Sequence, residues 1–479
     1  MYKVNIGLEI HVELKTERKM FCFCLNDSEE KRPNFNVCPI CLGEPGTLPV
    51  ANKEAIEKII KISLACNSKI SNLSFFERKS YFYPDLPKGY QISQLQHPIG
   101  VGGHLEIQTA NRDEKTKKIE IKEIHLEEDT ARLDHSKDKV HSLIDFNRSG
   151  VPLMELVTAP NICSSIEAKN FAQELQTILR YLDISDANME KGEMRVEANI
   201  SLRLEGEDMG TKVEIKNLNS FRAVEKAIEY ETKRQEKVLK SGKKIIQETR
   251  GWDENKKETF SQRAKESAAD YRYFPEPDLS PFEIEEKTLD RIKKSLIELP
   301  YQKKKRYLEE YQLPLEQINS IIEEKEKADF FEKITRENKD KKFIKLAGNY
   351  FTSDLFGLIQ KFNLKISELK FGPDNFASLI NLILEDKVQT SQAKNILEEM
   401  VKNGVEPTAI IEKGDIKKVS EEELEEIIKN ILNKNQEVVK DFKSGKTKVL
   451  QFLIGQAMKE TRGEVNPNTI KKLFHKFLL

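Results

Sequence analysis

The sequence lacks a long apolar run, and this absence argues against a helical membrane span. No stretch approaches the roughly 18–20 consecutive apolar residues that a helix needs to cross a bilayer. The amino terminus has the alternating pattern of a β-strand rather than the apolar centre of a secretory signal peptide. We therefore expect a soluble, cytoplasmic protein with no membrane partner.

Charge of one sign is not in excess either, since 79 lysines and arginines stand against 80 aspartates and glutamates. A nucleic-acid partner must therefore use a local patch. Such a patch runs from Lys434 to Leu479, where ten basic residues against four acidic ones give a difference of +6. This helical tail is a candidate grip on an RNA backbone. The alternative is an ordinary lysine-rich surface helix.

Cysteine is scarce, and six residues in a chain of 479 do not suggest a disulfide framework. Four of them form two close pairs that a loop separates: Cys22 and Cys24, Cys38 and Cys41. Such pairs can meet as four thiolates around a structural zinc ion, although the first pair has one intervening residue rather than the usual two to four. Free thiols are the alternative. Cys66 and Cys163 stand in apolar contexts, so we expect both to be small core residues.

Standard nucleotide-binding signatures are also absent. Ser444–Thr447 resembles the end of a phosphate loop, but Lys440 stands where that loop has its first glycine. An ATP site in this chain would therefore be an unusual one.

The first strand, Gly7–Leu14, is the most informative stretch that is present. Its apolar residues alternate with Glu9, His11 and Glu13, which share one face at intervals of roughly 7 Å. Two carboxylates around an imidazole are typical of a divalent-metal or general-base site. A solvated outer face of an amphipathic strand is the alternative.

Three further acidic stretches follow, at residues 123–129, 145–155 and 193–199. The first ends a strand in three consecutive acids, and clustered like charges cost stability unless a cation or a basic partner is present. Together with Glu9 and His11, these stretches indicate hard-cation chemistry on a phosphate-bearing substrate.

A loop rich in proline and aromatic residues is predicted over Arg78–Gln91, because its prolines and glycine exclude a helix or a central strand. Lys79 and Lys88 flank this loop, a position suited to binding phosphate or carboxylate. Two solvated lysines are the alternative.

Strand and helix patterns alternate up to about Glu286, and after Pro300 the composition changes to helical runs of Lys, Glu, Leu and Ile. Helical periodicity appears at residues 52–65, 165–182 and 221–239, and strand alternation at 118–126 and 196–204. These patterns predict an α+β protein. We expect a large mixed α/β domain at 1–290, an all-α domain at 291–405 and a small helical tail at 406–479.

Four long motifs carry a resemblance: Gly7–Leu14, Tyr81–Gln94, Gly210–Phe221 and Asp270–Asp278. Together they closely resemble the B subunits of the tRNA-dependent amidotransferases, the GatB family. The resemblance covers the whole chain. It implies a cradle-like catalytic domain and a YqeY-like tRNA-binding tail.

The resemblance also implies a reaction in protein biosynthesis. ATP phosphorylates the side-chain carboxylate of Glu-tRNA(Gln) or Asp-tRNA(Asn), and ammonia displaces the phosphate to give the amide. The enzyme is thus a carbon–nitrogen ligase with glutamine as amide donor. Ammonia comes from the amidase partner, which is held with a further small partner in a heterotrimer. No amidase nucleophile motif is visible in this sequence.

Site residues follow from the matching motifs. The resemblance implies that Lys79 and Lys88 lie near the ATP phosphates and that the four-cysteine zinc site of some members is present. It implies these magnesium ligands: Glu9, His11, Glu128 and Glu155. It also implies that Glu197 is an additional acidic group of the site, at a position where the family often has aspartate. Strand alternation alone puts Glu127, not Glu128, on the face of His125. The other reading of the chain is a non-catalytic tRNA-binding zinc protein, which leaves the acidic stretches unexplained.

Overall fold

The computed structural model describes residues 2–27, 29–109, 116–135, 141–264, 271–412, 421–443, 449–461, 465 and 467–478. Ser444–Thr447 and Asp270 lie outside the described residues. The chain divides into two compact units, Met1–Lys303 and Lys304–Leu479. The first unit therefore extends past residue 290, because Ile292 and Leu299 belong to its hydrophobic core.

The strands of the first unit are short except for β1, β8 and β12. They are β1 Tyr2–Glu13, β2 Lys69–Ile70, β3 Leu73–Ser74, β4 Glu77–Ser80, β5 Tyr90–Ser93, β6 Gly100–Val101, β7 His104–Gln108, β8 Thr116–Glu128, β9 Arg132–His135, β10 Ser142–Asp145, β11 Pro152–Thr158, β12 Met194–Leu204, β13 Val213–Leu218, β14 Glu248–Asp253, β15 Glu258–Ala264, β16 Phe274–Pro275 and β17 Phe282–Glu283.

One large sheet organises this unit. Among the described residues its strand order is β15-β14-β13-β12-β1-β11-β8-β6-β2, and β7 also pairs with β8. The pairs along this order are antiparallel except for β13 with β14. The earliest long strand, β1, thus lies in the centre of the sheet between β11 and β12.

The two faces of the sheet differ in polarity. Leu8, Ile10 and Val12 of β1 are at most 1% exposed and share one hydrophobic cluster with the helices of this unit. Because side chains alternate along a strand, the polar residues of β1, β8, β11 and β12 project from the opposite face. The helices of this unit are α1 Lys53–Ala65, α2 Ser165–Tyr181, α3 Phe221–Lys240 and α4 Glu286–Lys294.

Each of the three long helices begins at a side chain that caps its free backbone amides. Asn52 accepts from the amides of Glu54 and Ala55, Ser164 from Glu167, and Ser220 from Ala223. Such caps contribute about 1 kcal/mol each to helix stability. They explain why the helix starts predicted from periodicity are correct to within a residue.

A small sheet in the order β16-β4-β5 carries Lys79. The predicted loop at Arg78–Gln91 is thus wrong at both ends. Arg78–Ser80 lies in β4, the middle strand of this sheet, and Tyr90 and Gln91 lie in β5. Backbone pairing with both neighbours, Arg78 opposite Phe274 and Ile92, outweighs the nearby prolines. Two smaller sheets pair β9 with β10 and β3 with β17.

The regular secondary structure of the second unit is helical over its described residues. Its helices are α5 Pro300–Arg306 (which crosses the division between the units), α6 Leu315–Ile322, α7 Lys325–Thr335, α8 Lys341–Asn349, α9 Phe356–Phe362, α10 Pro373–Leu384, α11 Thr390–Asn403, α12 Pro407–Glu412, α13 Glu421–Lys434, α14 Gln436–Lys443, α15 Leu450–Glu460 and α16 Pro467–Leu478. Two π-helical turns, Tyr307–Tyr311 and Tyr350–Leu355, and a 3₁₀ turn at Ile366–Glu368 complete it.

The α+β class is therefore confirmed. The last helices bury a hydrophobic cluster of their own that includes Leu424, Leu453 and Phe474. The division into a domain at 291–405 and a tail at 406–479 stays a prediction. None of the helices in the described part of the chain is long and apolar enough to cross a membrane. Cys66 is fully buried as expected, but the expectation for Cys163 was wrong, because it is exposed just ahead of the cap of α2.

Candidate functional site

The polar face of the central strands brings together residues that are far apart in the sequence. Strand register sets His11 of β1 opposite Glu155 of β11, and Glu155 opposite His125 of β8. Glu9 lies opposite Glu197 of β12. Directly opposed residues on neighbouring strands have Cβ atoms about 5 Å apart, so their side chains must meet.

These side chains form a compact group, which we name the His–Glu cluster: Glu9, His11, His125, Glu127 and Glu155. Nε2 of His11 lies 3.9 Å from Oε1 of Glu9, 3.6 Å from Oε1 of Glu127 and 3.4 Å from Oε2 of Glu155. Nε2 of His125 lies 3.2 Å from the same oxygen of Glu155. The site expected from β1 is therefore present as a geometric cluster.

Burial and mutual repulsion shift the titration of the cluster. Burial and the nearby Glu155 raise the pKa of Glu9 to about 7. Burial also opposes ionisation of Glu155, but the neighbouring His125 and His11 hold its pKa well below its usual range. The His11 pKa is raised because its contacts with Glu155 outweigh burial. Negative charge is thus concentrated on Glu155, between two imidazoles.

The cluster contains Glu127 and not Glu128. Ser93 donates its hydroxyl to Oε2 of Glu127 at 3.0 Å, while the other oxygen of Glu127 approaches His11. Glu128 instead forms a salt bridge with Lys88 and accepts the backbone amide of Ile92 at 3.0 Å. Alternation along β8 explains the difference, since the strand remains regular to its last residue. The structure thus departs from the expected grouping of Glu128 with Glu9 and His11.

Lys79 reaches the His–Glu cluster from the small sheet. Burial alone would lower its pKa, but the charges of Glu127 and Glu155 outweigh burial and raise it. Its Nζ lies 5.1 Å from the ring centroid of Tyr271, and none of the ion pairs among the described residues includes it. Lys79 is therefore a charged ammonium beside the cluster, and no carboxylate of the described residues holds it by direct contact.

Lys88 occupies a different place. With Glu128 it lines a cavity of about 220 Å³ whose wall also includes Cys22 and Cys41. Lys88 lies at the end of the loop that exposes Phe82, whose side chain is 93% accessible. Lys79 and Lys88 thus contact different groups, Tyr271 in the case of Lys79 and Glu128 in the case of Lys88.

Two charged groups beside the cluster were not predicted from the sequence. Lys216 binds Glu197 at 2.8 Å and Glu214 at 3.2 Å, next to Glu9. Arg195, the strand partner of His11, donates to Asp129 at 2.6 Å. Alternation in β12 and β13 would place Arg195 and Lys216 on polar faces, but the pairing of those strands cannot be deduced from it.

The four clustered cysteines also converge. Their four Sγ atoms all lie within 4.8 Å of one another, and Sγ of Cys38 is 3.9 Å from Sγ of Cys41. Tetrahedral zinc with bonds of about 2.3 Å separates its sulfurs by about 3.8 Å. The four thiols therefore fit a zinc ion.

A buried lysine adjoins the cysteines. Lys19 is 1% exposed, and its Nζ donates to the carbonyl oxygen of Asn36 at 2.7 Å and lies 3.9 Å from Sγ of Cys41. The hydrogen bond from Cys22 and the charge of Lys19 outweigh burial and lower the pKa of Cys41 to about 5. A thiolate is the form that binds metal, so this environment favours metal binding.

The His–Glu cluster likewise fits a divalent cation. Donor atoms of Glu9, His11 and Glu155 lie within 4.8 Å of one another. Carboxylate oxygens that face each other in a partly buried site repel unless a cation separates them. Burial and, after it, the charge of Glu155 raise the pKa of Glu9, as expected for carboxylates brought together in such a site.

Comparison with known proteins shows the family of this chain. A family profile described as the GatB/GatE catalytic domain matches residues 4–327, and one described as the GatB domain matches residues 329–478. The chain belongs to the GatB family. The two matched segments together span nearly all of the chain and meet within the second compact unit.

Individual GatB relatives match along their full lengths. The B subunits of the aspartyl/glutamyl-tRNA(Asn/Gln) amidotransferases from Persephonella marina and Thermotoga petrophila are each 44% identical to this chain, covering 99% and 100% of it and 98% and 99% of their own lengths. The protein of the same name from Thermoanaerobacter pseudethanolicus is 45% identical, over 98% of each chain. Membership of this GatB family gives the chain the role of a B subunit in a tRNA amidotransferase complex.

Proposed function

We propose that this chain activates the side-chain carboxylate of Glu-tRNA(Gln) or Asp-tRNA(Asn) with ATP and converts it to the amide. A carboxylate oxygen attacks the γ-phosphorus of ATP, and ADP leaves. Ammonia then attacks the carbonyl carbon of the acyl phosphate, inorganic phosphate leaves, and the nitrogen loses a proton. This is ligation of carbon to nitrogen with glutamine as the ultimate amide donor.

The observation that carries this proposal is the convergence of the His–Glu cluster with Lys79 on one polar face. Three oxygen or nitrogen donors lie within 4.8 Å of one another, and Lys79 adds a positive charge beside them. We propose Mg²⁺ at Glu9, His11 and Glu155, with Glu127 instead of Glu128 as the further carboxylate. When bound, Mg²⁺ supplies charge neutralisation for the transferring phosphate.

The lysines take complementary roles in this scheme. Lys79 stabilises charge on the phosphates, because none of the ion pairs within the described part of the chain engages its ammonium group. Lys88 binds a phosphate only by exchanging its present partner, Glu128. Lys216 forms a salt bridge with Glu197 and thereby holds the Glu197 carboxylate in place next to Glu9.

The remaining parts of the chain support the complex. We propose a structural Zn²⁺ at the four cysteines and tRNA binding by the helical tail at 406–479. Ammonia reaches this chain from the amidase partner, which is held with a further small partner in a cytoplasmic heterotrimer. The names of the GatB relatives, which cite both tRNA(Asn) and tRNA(Gln), support either substrate.

Transamidation by the reconstituted heterotrimer tests the proposal. We expect Glu9→Gln and His11→Ala to abolish amide formation on both misacylated tRNAs, while the tRNA-independent glutaminase activity of the amidase partner persists. Glu120→Gln, an exposed change on β8, is the matched control and should retain activity. Wild-type transamidation in either cluster variant would overturn the site. Absence of ATP turnover with every misacylated tRNA would favour the non-catalytic tRNA-binding zinc protein.

A further inference from the structure

The chain forms a tight turn around its second cysteine pair, at Cys38–Glu44, which we name the Gly43 turn. Three backbone hydrogen bonds close it, among them one from the amide of Gly43 to the carbonyl oxygen of Ile40 at 3.0 Å. Ser149 also donates its hydroxyl to the carbonyl oxygen of Cys41 at 3.2 Å. The Gly43 turn is therefore braced both by its own backbone and by the loop that leads into β11.

Lys88 packs directly against the Gly43 turn. Gly43 has a φ of +69°, in the left-handed region that glycine adopts readily. A Cβ atom at this position would lie 2.5 Å from Cγ of Lys88 and 3.1 Å from its Cα. Carbon atoms in good contact are about 3.5–4.0 Å apart, so an added methyl group must displace Lys88 or the turn. Rotation of the Lys88 side chain alone would leave the close approach to its Cα.

The ammonium group of Lys88 is restrained as well as its aliphatic stem. It forms a salt bridge with Glu128, and the Lys88 side chain is only 12% exposed. Nζ lies 5.9 Å from the ring centroid of Phe21 and 5.6 Å from that of Tyr90. A cation within about 6 Å of an aromatic ring is attracted by it. The position of Lys88 is thus set by Glu128 and two rings at its head and by the Gly43 turn along its stem.

We propose that Gly43 is a positioning residue for Lys88. The Gly43 turn packs along the Lys88 stem and holds the ammonium group at Glu128, from where it exchanges to a phosphate. The inference rests on the proposed function, because it takes Lys88 as a group that binds phosphate. If the turn served only the four cysteines, a methyl group at residue 43 would affect metal retention and leave Lys88 in place.

Alanine at two glycines of the same segment separates these roles. Gly43→Ala places a methyl group against Lys88. Gly46→Ala is the matched control, because Gly46 also has a positive φ, +85°, but a Cβ atom there meets no other part of the described chain within 4 Å. Both alanines are therefore strained in the backbone, and only the first overlaps Lys88. The zinc content of both full-length variants should equal that of the wild type.

Lysine labelling reports the position of Lys88 without using catalysis. The rate of reductive dimethylation of Lys88 is measured by mass spectrometry, relative to that of the exposed Lys118. We expect Gly43→Ala to raise this ratio at least about threefold, because a displaced ammonium group loses its salt bridge and its shielding. Gly46→Ala should leave the ratio unchanged. In the reconstituted heterotrimer, Gly43→Ala should reduce kcat/KM for ATP about 10–100-fold, as expected for a misplaced binding group, and Gly46→Ala should not.

A double-variant cycle decides the case in which Gly43→Ala loses zinc or fails to fold. Lys88→Ala removes the Cγ atom that the new methyl group overlaps. The decrease in the urea midpoint caused by Gly43→Ala should therefore be at most about half as large in the Lys88→Ala background. Folding or zinc retention that returns only in that background supports the contact. Failure in both backgrounds shows that the methyl group acts elsewhere and overturns the inference.

Three further results would contradict the positioning role. They are an unchanged labelling ratio for Lys88 in Gly43→Ala, an equal rise of that ratio in Gly46→Ala, and an equal midpoint decrease in the two backgrounds. Failure of the proposed function has a different signature, namely no ATP-dependent transamidation by the wild-type heterotrimer. The labelling of Lys88 would still respond to Gly43→Ala in that case, so the two failures are distinguishable.

Discussion

In metal-free protein, Glu9→Gln should stabilise the fold at neutral and alkaline pH while abolishing the proposed activity. The pKa of Glu9 rises from 4.5 to about 7 because of burial and the nearby Glu155. At about 1.4 kcal/mol per pH unit this rise corresponds to about 3 kcal/mol. Solvent reaches 31% of the side chain, so we expect about 1–2 kcal/mol after screening. Glutamine retains the shape of the side chain without its charge.

The sign of the pH dependence follows from linkage. Between pH 4.5 and about 7 the unfolded chain releases the Glu9 proton while the folded chain retains it. Metal-free wild-type protein therefore loses stability as the pH rises through this window, and the loss is complete above pH 7. The variant lacks that loss. The difference in unfolding free energy between Glu9→Gln and the wild type should be near zero at pH 4.5 and reach its full value at pH 8.

Tryptophan fluorescence provides the assay, since the only tryptophan of the chain, Trp252, lies in β14 of the same sheet. Urea unfolding is measured at several pH values after dialysis against buffer without Mg²⁺ or Mn²⁺, so that zinc is retained. Glu120→Gln is the control, because Glu120 is exposed on β8. Parallel pH profiles of the unfolding free energy for wild type and Glu9→Gln would refute the claim that the surroundings of Glu9 disfavour its ionised form. Added Mg²⁺ should stabilise only the wild type.

Three further predictions concern other parts of the chain. Elemental analysis should find one zinc per chain, and Cys22→Ser should lower the melting temperature by about 5 °C or more. The exposed change Cys163→Ser is the control and should not lower it. Metal-free protein with an unchanged melting temperature would contradict a structural zinc site. Lys79→Met should reduce kcat/KM for transamidation about 10²–10³-fold, with exposed Lys118→Met as control, and wild-type kinetics would remove Lys79 from the site. Deletion from residue 406 onward should raise the KM for tRNA, reduce kcat at saturating tRNA much less and flatten the salt dependence; unchanged tRNA affinity and salt slope would assign the tail another role.

Local sequence patterns predicted the parts of the site that depend on local geometry. Alternation in β1 placed Glu9 and His11 on one face, and the structure confirms this. Alternation in β8 likewise indicated Glu127, and the structure groups Glu127 with His11. In both strands the period of two is enough, because neither contains a bulge in the relevant stretch.

Contacts between distant segments could not be predicted in this way. The approach of Glu155 to both His11 and His125 depends on the register of three strands, which no local pattern encodes. The different contacts of Lys88 and Lys79 depend on the path of the loop between β4 and β5. Cys163 was misplaced for a similar reason, since its apolar neighbours pack inward while the chain turns outward to cap α2.

The central position of β1 has a consequence for synthesis on the ribosome. Glu9 pairs with Val157 of β11 and Glu197 of β12, so β1 gains its two neighbours only after most of the first unit has been translated. At a translation rate of about 5–20 residues per second, β12 is synthesised roughly 10–40 s after β1. Leu8, Ile10 and Val12 remain unprotected during that time. Nascent chains that end before β12 should therefore bind chaperones and resist folding, however complete their helices are.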